Sequence, residues 1–156
     1  MKTEPRFLVD SMLGKVARWL VMMGYDAAFA GTDGRADCEL LAQAQKEGRI
    51  FLTRDAKIVK VAGVKVVVVG SQRFESQLRC VFKELGLRPD PKRFFTRCTY
   101  CNQALESVPR EEAAALVPPL VRDLPTDFWR CSGCQRMYWQ GTHTQRAVER
   151  IKKLGL

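Results

Sequence analysis

Two short cysteine pairs constrain this chain more than any other feature. RCTYC carries Cys98 and Cys101, RCSGC carries Cys131 and Cys134, and 29 residues separate them. Two CxxC pairs supply four thiolates, enough to close a tetrahedral Zn²⁺ site. A site with four cysteine ligands has no open position, so its metal is structural rather than catalytic. Zinc would fold a segment too small to build a core of its own. The insert running from Pro118 and Pro119 to Pro125 is expected to loop out between the two knuckles. Cys38 and Cys80 stand alone and read as ordinary thiols in or near helices. Disulfides are the other use of six cysteines. The leading MKTEPRFLVD, however, lacks the apolar stretch of a secretory signal, and no apolar run approaches the ~20 residues of a membrane span. The expectation is a soluble, cytoplasmic protein with no membrane partner, in which paired cysteines bind metal.

The region ahead of the cysteines has a different texture. RFLVD (6–10) reads as a strand, and 13–23 carries apolar residues at a helical period, stopped by Gly24. DAAFA (26–30) is a weaker strand and GTDG (31–34) a loop, with Asp33 as a turn residue. A helix follows over 38–47, then a strand over 49–53 and a short helix over 56–62. VKVVVV (64–69) is a strand covered on both faces, and 72–85 is a longer helix closed by Gly86. Strands alternating with helices predict βαβ units. The fold class is therefore α/β, a three-layer α/β/α sandwich with a mostly parallel sheet. Two prolines and mixed charges at 88–92 mark a linker. The expected domains are 1–91 and 92–156, the second loop-like over 94–140 and closed by a short basic helix over 147–154.

Acidic residues fall at telling places. Asp10 ends the first strand, Asp37 follows the second and Asp55 follows the third. In an open parallel sheet the C-terminal strand ends gather on one edge, where ligands bind. Three carboxylates held close repel one another unless a cation sits between them. Mg²⁺ and Mn²⁺ prefer oxygen ligands, and such a site can polarise a phosphoryl oxygen and generate hydroxide. Lys15, Arg18 and Arg54 are close enough in sequence to hold phosphates. Arg54 has a second use, positioning a neighbouring acid. Each acid also has a humbler use. Asp10, Asp37 and Asp55 can all cap the turn or helix that follows. Glu39 is a fourth candidate ligand, or plain helix surface.

The formal net charge is +9, shared by both regions: 15 Lys and Arg against 11 Asp and Glu up to residue 91, and 11 against 6 beyond it. A basic surface favours polyanions such as nucleic acid, although well-solvated basic proteins share the property. Arg97, Tyr100, Arg130, Arg136, Tyr138 and Trp139 surround the knuckles, where they can stack on bases and contact phosphates or pack against the zinc core. His143 is the single histidine. It reads as structural or as a substrate contact. With one histidine, a two-histidine ribonuclease mechanism is excluded and a Ser-His-Asp triad is disfavoured. Walker and GxGxxG loops are absent. A phospho-acceptor receiver would want paired acids after the first strand, and Asp10 stands alone.

FLVDSMLGKVARWLVMMGYDAAF, ADCELLAQAQKEGRIFLTRD, RCTYCNQAL and CSGCQRMYWQGTH, in that order, resemble the Mut-seven C-terminal ribonuclease domain family. The resemblance runs from Arg6 to about His143. It implies a PIN-like domain with an appended zinc ribbon and metal-dependent ribonuclease activity. It carries the family's acids over to Asp10, Asp37 and Asp55, and its zinc ligands to Cys98, Cys101, Cys131 and Cys134. The chain departs from the family where Ser11 replaces a usual glycine. It departs again where Val21-Met22-Met23-Gly24 lacks a usual arginine, and where Thr144 replaces an aromatic after His143. The resulting expectation is a ribonuclease cleaving RNA at a three-aspartate Mg²⁺ or Mn²⁺ site, with a zinc ribbon gripping RNA. The alternative is a non-catalytic RNA-binding zinc-ribbon protein in which the acids serve as caps. PIN-like domains often pair, so a homodimer is admitted.

Overall fold

The computed structural model describes residues 3–156. Strand β1 (Arg6–Val9) leads through a 3-10 turn (Ser11–Leu13) into helix α1 (Gly14–Met22). Then come β2 (Asp26–Phe29), α2 (Asp37–Glu47), β3 (Ile50–Thr53), β4 (Val66–Val68) and α3 (Phe74–Leu85). The four strands form one parallel sheet in the order β2-β1-β3-β4. Period-two alternation divides the side chains between its faces. Phe7, Val9, Leu52, Val67 and Val69 join Leu20 of α1 and Leu78 of α3 in one buried cluster. Leu8 and Phe51 join Leu40, Leu41 and Ala44 of α2 in the other. The result is the expected three-layer α/β arrangement around a parallel sheet.

Several elements differ from the sequence reading. Residues 56–62 make turns rather than a helix. Asp55 accepts the Lys57 N–H at 2.8 Å and closes a single turn there. The β-branched Ile58, Val59 and Val61 then oppose helical continuation, and Ile58 drops into the α2-side core. The helix expected to begin at Cys38 begins at Asp37, and its cap position is Ala36, with no side-chain capping bond. The loop-like stretch 94–140 contains an antiparallel sheet of β5 (Leu105–Val108), β6 (Phe128–Cys131) and β7 (Met137–Trp139). The proline-rich insert holds two short helices, α4 (Arg110–Ala114) and α5 (Pro119–Arg122). Strands of three or four residues interleaved with arginine and serine carry too little alternation to be read from sequence.

The closing helix α6 (Thr142–Leu154) starts earlier than expected and returns to the first sheet. Its Ile151 and Leu154 are buried in the cluster shared by α1 and α3, and the Leu154 carbonyl accepts from Arg79 at 2.8 Å. Residues at the linker are also tied down. The Arg93 guanidinium donates to Gly24 O at 2.8 Å, and the Phe95 N–H donates to Met22 O at 2.8 Å. Gly24 has φ +89°, and a Cβ there would collide with the Arg93 backbone. Its glycine thus serves close chain approach as well as helix termination.

At the N-terminal edge of the sheet, Asp26 binds Arg49 at 2.6 Å, Arg6 at 3.1 Å and the amide of Asn102 at 2.7 Å. Asn102 Oδ1 also accepts the Ala27 N–H at 3.1 Å, which pins the cysteine region to the outer strand. Burial alone would raise the Asp26 carboxyl, but its donors outweigh burial and hold it at about 2, against an ordinary 3.8. Because the folded value is depressed, the stabilisation is present above about pH 4 and is lost as pH falls towards 2. The gap corresponds to about 2 kcal/mol. Asp26→Asn is expected to cost about 2–3 kcal/mol at pH 7, because it leaves the half-buried Arg49 with Glu47 as its one remaining counter-charge. The deficit should shrink at pH 3. Urea unfolding at the two pH values measures both, and a deficit independent of pH would contradict the assignment.

Candidate active site and metal centre

The register of the first sheet determines what surrounds Asp10. Val9 pairs with Leu52, so Asp10 stands beside Thr53, and the Asp10 N–H donates to Leu52 O at 2.9 Å. Leu8 and Phe51 face α2, and alternation sends Asp10 and Thr53 to that same side. Thr53 is wholly buried. Its hydroxyl donates to Asp10 Oδ2 at 2.9 Å and accepts the Asp55 N–H at 3.1 Å. One hydroxyl therefore links the Asp10 carboxylate to the Asp55 backbone. The second oxygen of Asp10 accepts the Ser11 N–H at 2.7 Å, and Asp55 Oδ1 accepts from Lys57.

Asp37 opens α2 on this face of the sheet. Its helix follows β2 and must run back to start β3, so its N-terminus lies at the C-terminal strand edge, where the helix dipole favours a carboxylate. Asp37 and Glu39 are both exposed in its first turn. Asp33 pairs with Arg35 at 3.7 Å, and Arg35 holds Ala30 O at 3.0 Å and Gln43 at 2.8 Å, bracing the loop into α2. Asp10 and Asp55 do cap their own following turns. The Thr53 bond to Asp10 is a further constraint that capping does not require. Among the described residues, the only group of three or more potential metal-binding side chains with ligand atoms mutually within 4.8 Å is the cysteine set, so the three aspartates form no cage that tight.

Thr53 escaped the sequence reading, although it begins the TRD triplet. Its signal was a hydroxyl at a strand end otherwise made of core residues, two places after Phe51. Thr53→Val keeps the shape and removes the bridge. If Asp10 is a metal ligand of a nuclease site, the expected result is a fall of about 10–100-fold in cleavage, the usual effect of losing a partner that orients such a ligand, with a stability loss of about 1–3 kcal/mol. Unchanged cleavage kinetics would separate Thr53 from the site.

The basic candidates are spread more widely. Lys15 lies over the Phe74 ring at 4.4 Å, and Arg18 projects from the exposed side of α1. Arg54 is half-buried, with its Nε atom enclosed and without a hydrogen-bond partner; among the described residues it forms no ion pair with an acid. Positioning of a neighbouring acid by Arg54 is therefore not seen.

The cysteines form a compact centre. All four sulfur atoms lie within 4.8 Å of one another, with Cys98 and Cys131 buried and Cys101 and Cys134 half-buried. The two knuckles repeat one geometry. Asn102 N–H donates to Cys98 O and Gln135 N–H to Cys131 O, while the Cys98 N–H donates to Gln103 O and the Cys131 N–H to Arg136 O. Asn102 and Gln135 both adopt positive φ, 64° and 60°. Burial pushes the Cys98 thiol up, but the Tyr138 hydroxyl and the backbone N–H groups of Cys101 and Tyr100 outweigh it and hold the thiol at about 6. Cys101 is pushed up to about 12, by burial first and then by its neighbouring thiols. The opposite shifts of Cys98 and Cys101 favour a thiolate at Cys98 over one at Cys101. Four converging sulfurs are a donor set that can hold a metal ion, compatible with structural zinc.

The surrounding side chains divide by role. Arg97 donates to Asn102 O at 2.6 Å and Arg130 pairs with Glu112 at 2.7 Å, so these serve the structure, whereas Tyr138 meets Cys98 through its hydroxyl at 3.0 Å and also lines a cavity beside α1. Arg136 stacks over the exposed Tyr100 ring at 4.0 Å. Trp139 packs against the small core of Val108, Ala113, Val117 and Phe128. No helix among the described residues is long and apolar enough to cross a membrane.

The human protein named exonuclease mut-7 homolog is 34% identical to this chain over 104 residues, 62% of the chain but 12% of that protein, so the match concerns a small part of the relative. No solved structure matches. The model of the Mut7-C RNAse domain matches residues 5–151, from the start of the parallel sheet through both knuckles to the returning helix, and the chain belongs to that family.

Proposed function

We propose that the protein is a metal-dependent ribonuclease whose site is Asp10, Asp37 and Asp55. The observation that carries the reading is the Asp10–Thr53–Asp55 chain on the sheet face headed by Asp37. The family's description as an RNase domain supports it; the exonuclease name belongs to the human relative as a whole protein. Mg²⁺ or Mn²⁺, when bound, supplies phosphoryl polarisation and a deprotonated water nucleophile. The oxygen donors of the three acids suit such ions, and Mg²⁺ keeps several of its waters, so the carboxylates need not close into a tight cage. In this reading Asp10 holds its orientation through Ser11 N–H and the Thr53 hydroxyl. Asp55 is held through its own N–H and its bond from Lys57. Asp37 contributes from a helix terminus that favours its charge. Lys15, Arg18 and Arg54 are proposed phosphate contacts, and zinc is the proposed occupant of the cysteine centre.

A second reading, a non-catalytic RNA-binding protein, draws on the absence of a tight acid cage among the described residues. The deciding assay incubates purified protein with single-stranded and structured RNA, with Mg²⁺, with Mn²⁺ and after dialysis against metal-free buffer. A strong chelator is avoided because it would also strip the cysteine centre. Cleavage that appears with either ion and vanishes on dialysis is expected. RNA binding without cleavage under every condition would favour the second reading.

A further inference from the structure

Helices α1 and α6 face each other across an open groove of about 620 Å³. Lys15, Arg18 and Met22 line one wall, and His143, Arg146 and Arg150 line the other, each set spaced at helical intervals. No carboxylate lines it. Glu75 reaches Arg150 at 2.9 Å, and Arg150 also lies 5.4 Å from the Trp19 and Phe74 rings. Arg150 and Lys15 are therefore engaged. Arg18 and Arg146 are exposed, and among the described residues neither has an ion-pair partner. Two unpaired guanidinium groups flanking one groove are complementary to a chain of phosphates.

The groove continues into a second cavity of about 280 Å³ through shared Arg18, Met22 and His143. Phe95, Tyr138 and Trp139, supplied by the linker and β7, line it together with Thr99, Met137 and Thr144. That volume is roomy enough to admit one planar nucleobase. An aromatic-walled cavity opening beside guanidinium groups can stack an unpaired base while adjacent phosphates are neutralised. Helix α1 begins four residues after Asp10 and runs towards the cavity, so its first turn is the part of the groove that lies nearest the acid-bearing strand end.

We propose that this cleft binds single-stranded RNA, with phosphates on Arg18 and Arg146 and one base inserted among Phe95, Tyr138 and Trp139. The proposal rests on the ribonuclease reading and names the form of RNA it takes: an unpaired strand, since a base held in a duplex cannot enter the pocket.

The test measures equilibrium binding of a fluorescein-labelled RNA 12-mer to the zinc-loaded full chain without added Mg²⁺ or Mn²⁺. R18E/R146E is compared with a control pair on exposed α3 and α6 positions, K83E/K153E. Single abasic nucleotides are then moved through the oligomer with wild-type protein. The expected results are at least tenfold weaker binding for R18E/R146E than for the control, and a shallower salt dependence. An abasic nucleotide should weaken binding at least fivefold at a minority of positions, and duplex RNA should bind at least tenfold more weakly than the single strand. Equal affinities of the two charge-reversal pairs, a flat abasic scan, or preference for duplex RNA or for single-stranded DNA would overturn the proposal. If wild type cleaves RNA with Mn²⁺ while R18E/R146E binds normally, the groove is wrong and the nuclease reading stands. If the groove variant loses binding while wild type cleaves nothing, the groove stands and the nuclease reading falls.

Discussion

Asp55→Asn is expected to lower metal-dependent RNA cleavage at least about a thousandfold, equivalent to about 4 kcal/mol of transition-state stabilisation. The fold should be almost untouched. Asparagine retains the oxygen that accepts the Lys57 N–H at 2.8 Å, and the Asp55 N–H can still donate to Thr53. Only the charge and one strong metal-binding oxygen are lost. Asp10→Asn should match it in activity. Its carbonyl oxygen can keep the Ser11 N–H, and its amide would face the Thr53 hydroxyl, which can rotate to accept. Parallel single-turnover cleavage and thermal unfolding of wild type and both variants test the point. Full cleavage by either variant would remove that acid from the site. Lost cleavage together with a collapsed unfolding midpoint would instead assign the acid a structural role.

Cys131→Ser should have the largest effect on stability. Bound zinc should fall from about one ion per chain to near zero, and the β5–β6–β7 sheet should lose hydrogen-exchange protection. The reason is the size of the core beside the metal. Val108, Ala113, Val117 and Phe128 are its fully buried members. Their burial stabilises by about 6 kcal/mol, far less than the cost of ordering the surrounding segment at about 1–2 kcal/mol per residue. Structural zinc adds on the order of 10 kcal/mol. The parallel sheet has its own two cores and should persist. Helix α6 is the sensitive junction, because the chain reaches it only through β7, while Ile151 and Leu154 sit in the first core. Metal analysis with peptide-resolved hydrogen exchange would measure both effects. A variant that retains one zinc and a protected β6 would show that the cysteine centre is not what holds this sheet.

Much of the architecture was legible because it rests on local rules. The helical period in α1, the glycines after α1, α2 and α3, and the valine block of β4 each act within a few residues. The cysteine spacing was similarly transparent, since four sulfurs at two short spacings have few other uses. The segment after Asp55 was misread as a helix because its apolar content suits either state. The Lys57 bond and the β-branched residues decided in favour of turns. Strands β5, β6 and β7 were missed because each is too short to display a period and is stabilised by partners far along the chain.

The sequence by itself determined the three-layer sheet, the pairing of four cysteines able to hold a metal ion and the delivery of acids to strand ends, because hydrophobic period and ligand spacing are local properties. Only the tertiary structure decided which groups meet. Strand register brought Thr53 against Asp10, chain return brought α6 into the first core, and Asn102 tied a cysteine knuckle to Asp26 on the outer strand. Arg18 and Arg146 are separated by most of the chain and face one groove only because α6 folds back across α1. Such juxtapositions follow from strand register and the return of the chain, and no short window of sequence contains both partners.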